Sequence, residues 1–162
     1  MILKEATTVQ DVEKIIQTDP VRKHIISEFR IGNGARVFYF GTLDNLEAAC
    51  CMHTSRIIPD SEEELLSEYH TGGARLSGTK AIFYTVWSHK KGMGRQIINT
   101  TLSQLILEGY HDQYVTLSPT SDLVRQFHEG NGAKLIRSSL YANNYEYKVY
   151  REGHEPPRTR VA

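Results

Sequence analysis

Residues 81–108 read AIFYTVWSHKKGMGRQIINTTLSQLILE, and how this stretch divides decides the fold. Residues 81–87 are dense in β-branched and aromatic side chains, as a buried strand requires. Met93, Ile97, Ile98, Thr101, Leu102, Leu105 and Ile106 then recur at helical spacing, and Gly109 supplies a C-terminal stop. Between strand and helix stand His89, Lys90, Lys91, Gly92, Met93, Gly94 and Arg95. A strand that passes through a glycine turn into a helix start offers free backbone N–H groups to an anion, and the helix dipole reinforces them. Two lysines and an arginine add positive charge there, so the stretch predicts a diphosphate site around which the chain is built.

Working outward from it, residues 2–4 predict a short strand. Thr8 then caps a helix with Val12, Ile15 and Ile16 inward. Asp19-Pro20 predicts the start of a second helix, with Val21, Ile25 and Phe29 facing the core. Residues 36–42 and 46–54 read as a hairpin closed by a tight turn at 43–45. Ser61 and Glu64 match a capping box for a short helix within the 59–73 loop, and its acidic run reads as a solvated face. Gly72, Gly73 and Gly78 mark a mobile segment suited to a substrate loop.

On the other side, residues 114–118 predict a strand. Ser121 caps a helix with Leu123, Val124 and Phe127 inward, and Asn131-Gly132 ends it. Residues 133–137 and 145–150 read as the last two strands, with Asn143-Asn144 near their turn. The order is strand, two helices, hairpin, strand, helix, strand, helix, two strands. Its middle strand–helix–strand units require parallel pairing, and its hairpins antiparallel pairing. The expected fold is therefore α/β: a mixed, strongly twisted sheet of about seven strands flanked by helices. Residues 1–150 would form one domain, with a disordered tail over 151–162.

Composition narrows the function classes. The 162 residues carry 19 basic and 19 acidic side chains, a formal charge of zero, which argues against a nucleic-acid partner. No apolar run approaches the roughly 20 residues needed to span a bilayer. The N-terminus lacks the organisation of a secretion signal, so no membrane association and a cytoplasmic location are expected. Cys50 and Cys51 are adjacent and cannot close a loop by disulfide; they read as reduced core residues. No second cysteine pair or histidine cluster accompanies them, so no metal is expected.

This order of elements, with a glycine turn after the fourth strand, resembles the GCN5-related N-acetyltransferases, the GNAT superfamily. In that family the turn reads Arg/Gln-x-x-Gly-x-Gly/Ala and holds the diphosphate of acetyl-CoA. Here His89, Lys90, Lys91, Gly92, Met93 and Gly94 stand there, with both glycines kept and His89 in the leading place. Residues 121–133 are similar to the family's Asn-x-x-Ala-x-x-Leu-Tyr-Glu-Lys-x-Gly-Phe. Phe127, Glu129 and Gly132 keep their types, whereas Ser121, His128 and Ala133 replace Asn, Tyr and Phe.

The resemblance implies acetyl-CoA as cosubstrate, bound by Thr85, Val86, His89, Lys90, Lys91, Gly92, Met93, Gly94, Arg95 and Ser121. A backbone N–H near Thr85 or Val86 would polarise the thioester carbonyl. His128 would stand where the family tyrosine protonates the departing thiolate. The implied reaction is direct N-acetylation of a primary amine, on a small molecule or peptide, through a ternary complex. Homodimers are common in the family. Glu47, His53, Glu64, Glu68, Tyr69, His70, His24 and Glu28 lie in segments near the acceptor side, and none stands out as a general base. The departures at His89, Ser121 and His128 also fit a noncatalytic acyl-CoA-binding or protein-interaction module on the same fold. An RNA-binding domain is disfavoured by the zero charge.

Overall fold

A computed structural model describes residues 1–71 and 79–148. The glycine-rich segment expected to be mobile and the expected C-terminal tail lie outside the described residues. Seven strands form one mixed sheet in the order β1 (Lys4–Ala6), β2 (Ala35–Gly41), β3 (Leu46–Ser55), β4 (Lys80–Ser88), β5 (Gln113–Thr116), β7 (Asn143–Glu146), β6 (Lys134–Ser138). β4 and β5 are parallel, and the other pairs are antiparallel. Helix α1 spans Val9–Ile16, α2 Glu62–Thr71, α3 Met93–Glu108 and α4 Asp122–Gly130.

β3 is buried along residues 48–55, as an apolar run in a central strand demands. On one face Phe38, Phe40, Cys50, Met52 and Phe83 pack against Ile97, Ile98, Leu102 and Leu105 of α3. On the other, Val37, Cys51, Ile82, Tyr84 and Trp87 meet Val12 and Ile15 of α1 and Leu65 of α2. Local signals set the helix ends. Thr8 accepts from Asp11 N–H at 3.1 Å, Ser61 from Glu64 N–H at 3.2 Å and Ser121 from Val124 N–H at 3.3 Å. Gly109 closes α3 at φ 77°, its N–H donating to Leu105.

Residues 20–29 do not form the expected second helix; they make an irregular loop with one 3-10 turn at Ser27–Phe29. Asp19 does cap its start, accepting from Val21 N–H at 2.8 Å and Arg22 N–H at 3.0 Å. What overrides the helical pattern is the inward pull of Arg22 and Arg30, whose side chains are 9% and 0% exposed. Arg30 ion-pairs with the wholly buried Asp19 at 2.8 Å and donates to Ile25 O at 2.9 Å and to Arg22 O. Ile25 is buried as expected, whereas Val21 is exposed.

The acidic run on α2 is likewise not a solvated face. Glu62 binds Arg22 and His24, Glu64 accepts from Asp60 N–H, and Glu68 holds Arg56 and Ser55. Near the C-terminus the turn falls at residues 139–142, and Asn143 and Asn144 lie within β7. Asn144 is drawn there by donating to Pro59 O and Thr116 O at 2.9 and 2.8 Å. Leu123 also departs from expectation, standing 78% exposed.

Candidate active-site groove

The pairing of β4 with β5 runs from Lys80↔Gln113 to Phe83↔Thr116 and ends with Leu117 N–H donating to Phe83 O at 2.8 Å. Beyond that point the two strands part. The register of β3 and β4 slips here, with Cys51 opposite Thr85 and Met52 opposite Phe83, so Tyr84 is the extra residue of a bulge. Bulges twist and bend a strand, which accounts for the parting of β4 from β5. The bulge also turns neighbours Tyr84 and Thr85 to one face: the Arg30 guanidinium lies 6.0 Å from the Tyr84 ring, and Thr85 Oγ1 donates to Asp19 Oδ1 at 3.1 Å. Nothing in the residue pattern announced this bulge.

The parted strands open a groove of about 350 Å³. Its walls are residues 83–88 of β4, Leu117, Ser118 and Pro119 after β5, Gly94 at the start of α3, and Leu123, Val124, Phe127 and His128 of α4. Pro20 and Val21 complete its rim. The exposed Leu123 therefore belongs to the groove wall. Gly94 is required by close approach: a Cβ there would lie 3.3 Å from Phe127. Gly92 is required by geometry instead, at φ 83° with nothing within 4 Å of a built Cβ.

Of the residues the sequence singles out, Thr85, Val86, Gly94 and His128 line this groove. Gly92, Met93 and Gly94 form the turn into α3, with exposed Lys90, Lys91 and Arg95 around it. Ser121 is exposed as the cap of α4 and is not among the groove's lining residues. His89 is turned away from the turn's anion position: its Nε2 meets Thr18 Oγ1 at 3.1 Å, and its N–H donates to Glu47 O at 2.9 Å. Thr18 also accepts from Trp87 Nε1 at 3.0 Å, so it ties the end of β4 to the loop after α1. Lys90 reaches Glu47 at 3.0 Å.

His128 is 6% exposed; its ring stacks on Tyr145 at 5.1 Å and meets Phe127 and Tyr147 edge-on. Its Nδ1 lies 2.7 Å from Tyr147 Oη. Burial lowers its pKa to about 4, so the imidazole is neutral at pH 7. Burial raises the Tyr147 phenol to about 12, partly opposed by Asn131. Burial also pushes the Cys50 and Cys51 thiols up to about 12 and about 11, the wrong direction for a nucleophile. Among the described residues no cluster of His, Cys, Asp and Glu is arranged to hold a metal.

Sequence reasoning missed Arg22. Its Nε donates to Tyr84 O at 2.7 Å and its Nη2 to Leu117 O at 2.9 Å, bridging the two strands where their ladder stops. Its Nη1 pairs with Glu62, whose other oxygen lies 2.6 Å from His24 Nε2. Arg22 and Glu62 line a second cavity of about 250 Å³ with Ser61, Tyr141 and Ala142. Leu117 lines both cavities, so they adjoin where the β4–β5 ladder stops. Of the general-base candidates, Glu47 and Glu68 are held by Lys90 and Arg56, and His53 is buried with its pKa lowered by burial.

No family model and no curated protein matches the sequence. Solved structures do match its fold. Malonyl-CoA decarboxylase from Agrobacterium vitis superposes with a TM-score of 0.71 at 19% identity, covering 91% of this chain and 60% of that one. A protein from Desulfovibrio desulfuricans, described as a candidate GNAT-family acetyltransferase, gives 0.65 at 11% identity over 91% and 98%. Arabidopsis thaliana NAA60 in complex with acetyl-CoA gives 0.61 at 12% over 90% and 98%. The chain thus spans about three-fifths of the decarboxylase and nearly all of the other two. It has the GNAT fold. No helix among the described residues is long and apolar enough to cross a membrane.

Proposed function

We propose that the groove between β4 and β5 binds acetyl-CoA and that the protein transfers the acetyl group to a primary amine. The observation that carries this reading is the parting of β4 from β5 at the Tyr84 bulge, directly before a glycine turn that opens a helix. An extended pantetheine chain fits beside the β4 edge over residues 84–88, which has lost its partner strand. The diphosphate falls on the turn at residues 91–95, where the N-terminus of α3 and exposed cations favour negative charge. NAA60, solved in complex with acetyl-CoA on the same fold, supports acetyl-CoA as the ligand.

The amine attacks the thioester carbon, and a β4 backbone N–H near Thr85 or Val86 stabilises the oxyanion. On collapse the C–S bond breaks and its electron pair leaves with sulfur. His128, neutral in the groove wall, donates a hydrogen bond to the departing sulfur. The attacking nitrogen loses one proton, and the free thiol gains one. Incubating the protein with acetyl-CoA and a panel of amines should release free thiol and acetylated amine. His128→Phe should lower turnover by about 10²-fold with coenzyme A affinity nearly unchanged. Failure of the wild-type chain to bind coenzyme A would remove the reading.

A second reading, decarboxylation of an acyl-CoA, is favoured by one observation: a malonyl-CoA decarboxylase is among the solved structures that share this fold. In that reaction the carboxylate C–C bond breaks, carbon dioxide leaves, and a proton is taken up at the carbon left behind. Carbon dioxide release from malonyl-CoA in the absence of any amine separates the two readings.

A further inference from the structure

The wall of the groove contains a hydrogen-bonded chain whose direction can be read from its far end. Asn99 Nδ2 donates to Asn131 Oδ1 at 3.4 Å, which sets the orientation of the Asn131 amide. Asn131 Nδ2 therefore faces Tyr147 Oη, 3.3 Å away, and donates to it. The Tyr147 hydroxyl has one proton, and its remaining close partner is His128 Nδ1 at 2.7 Å. With Tyr147 donating, Nδ1 must accept. A neutral imidazole that accepts at Nδ1 carries its proton at Nε2. Among the described residues His128 Nε2 has no hydrogen-bond partner, and His128 lines the groove.

We propose that Asn131 and Tyr147 are positioning residues that fix His128 as the Nε2–H tautomer, aiming a neutral N–H donor into the groove at the sulfur of the bound thioester. The two ends of the device come from different elements. Asn131 is the C-cap of α4, three residues beyond His128, and Tyr147 follows β7. Stacking of His128 on Tyr145 at 28° holds the ring plane, so the chain fixes both the orientation and the proton. Hydrogen bonding at the sulfur requires no net proton transfer from the ring, so the neutral histidine is competent throughout the turnover.

The inference rests on the acyl-CoA reading of the groove for its catalytic consequence, but its structural half is measured without any ligand. Nitrogen NMR shifts of the His128 ring in the free wild-type protein should report the Nε2–H tautomer. Asn131→Asp, which can only accept at that position, should draw the Tyr147 proton away and shift His128 toward Nδ1–H. Tyr147→Phe keeps the ring packing, and should yield mixed tautomers. It should also lower kcat about tenfold, with KM for acetyl-CoA within about twofold. A wild-type ring already in the Nδ1–H form, or one indifferent to both substitutions, overturns the proposal. So does a tautomer change in Tyr147→Phe with kcat unaltered in an active enzyme. If the tautomer responds as stated but the wild type neither binds nor turns over acyl-CoA, the reading of the groove falls while the positioning chain stands.

Discussion

The two sides of the split between β4 and β5 are built by different means. On the groove side, position comes from backbone: a left-handed Gly92 and a capped α4, each set by neighbours a few residues away, beside the bulge that β4 makes against β3 at Tyr84. On the other, residues 18–30, whose Pro20 and Val21 reach the groove rim, have almost no regular structure and are held by charged side chains reaching across the fold. Asp19 alone joins Val21, Arg22, Arg30 and Thr85. The contrast teaches that an irregular loop need not be a loose one. A loop held by an ion pair buried at zero exposure fails abruptly when one partner goes, because the other is left charged and unsolvated.

The sharpest break in the comparison is therefore Arg30→Met. Removing this wholly buried guanidinium strands Asp19, and the expected loss is about 3–5 kcal/mol in urea unfolding. Burial alone would raise the Asp19 pKa. Hydrogen bonds from Arg22 N–H, the Arg30 side chain and Val21 N–H outweigh it and hold the carboxyl below its usual value. The charge thus persists at neutral pH and the penalty with it. Adding Asp19→Leu to Arg30→Met should recover part of the loss, since no charge then remains buried. A loss below about 1 kcal/mol for the single variant would mean that the pair does not hold the loop.

How much of this was legible follows the same division. The glycine turn, the caps at Thr8, Ser61 and Ser121 and the tight turn of the β2–β3 hairpin rest on residues within four positions of each other, and the succession of elements is read along the chain. Those signals led to the right fold, and the family resemblance built on them pointed to Thr85, Val86, Gly94 and His128, which line the groove. The helix expected over residues 20–29 failed because its periodicity was outweighed by Arg22 and Arg30, whose partners Tyr84, Leu117 and Glu62 are distant in sequence. The same long range hid the Tyr84 bulge and the inward pairing of Glu62. His89 stands at the motif position but spends its side chain on Thr18.

Acid sharpens the comparison from the groove side. The His128 pKa of about 4 lies below the unfolded value near 6.5, so the folded state prefers the neutral ring. As pH falls from 7 to 5 the unfolded chain takes up a proton that the folded chain refuses, and stability drops by about 2 kcal/mol from this group. His53, also lowered by burial, adds a loss of the same sign. Urea midpoints at pH 7 and 5 should show the drop, and His128→Phe should flatten it in part. The lowered carboxyls, Asp19, Glu62 and Glu68, belong to a separate window: their contribution is lost below about pH 4.5. A pH dependence between 7 and 5 unchanged by His128→Phe would contradict the burial of that ring.

The turn itself should yield less. Gly92→Ala meets no atom within 4 Å, so its cost is the left-handed backbone alone, about 1–2 kcal/mol. Gly94→Ala instead presses on Phe127 from 3.3 Å and should disturb acyl-CoA binding more than stability. Equal stability losses in the two variants would show that the turn is governed by packing, as in a core, rather than by backbone geometry.

The smallest expected effect separates the two lysines of the turn. Lys90 already lies 3.0 Å from Glu47, so its charge is partly offset before any ligand arrives. Lys91 is exposed and makes no ion pair among the described residues, which leaves its ammonium free for a phosphate. Lys91→Ala should weaken coenzyme A binding several-fold at low salt, and Lys90→Ala by about half of that in free-energy terms. Both differences should shrink as the ionic strength approaches 1 M, where the Debye length is about 3 Å. If Lys90→Ala is the more damaging at low salt, Glu47 releases Lys90 when ligand binds. The ion pair would then be a feature of the free groove, and even this most local part of the site would depend on a contact distant in sequence.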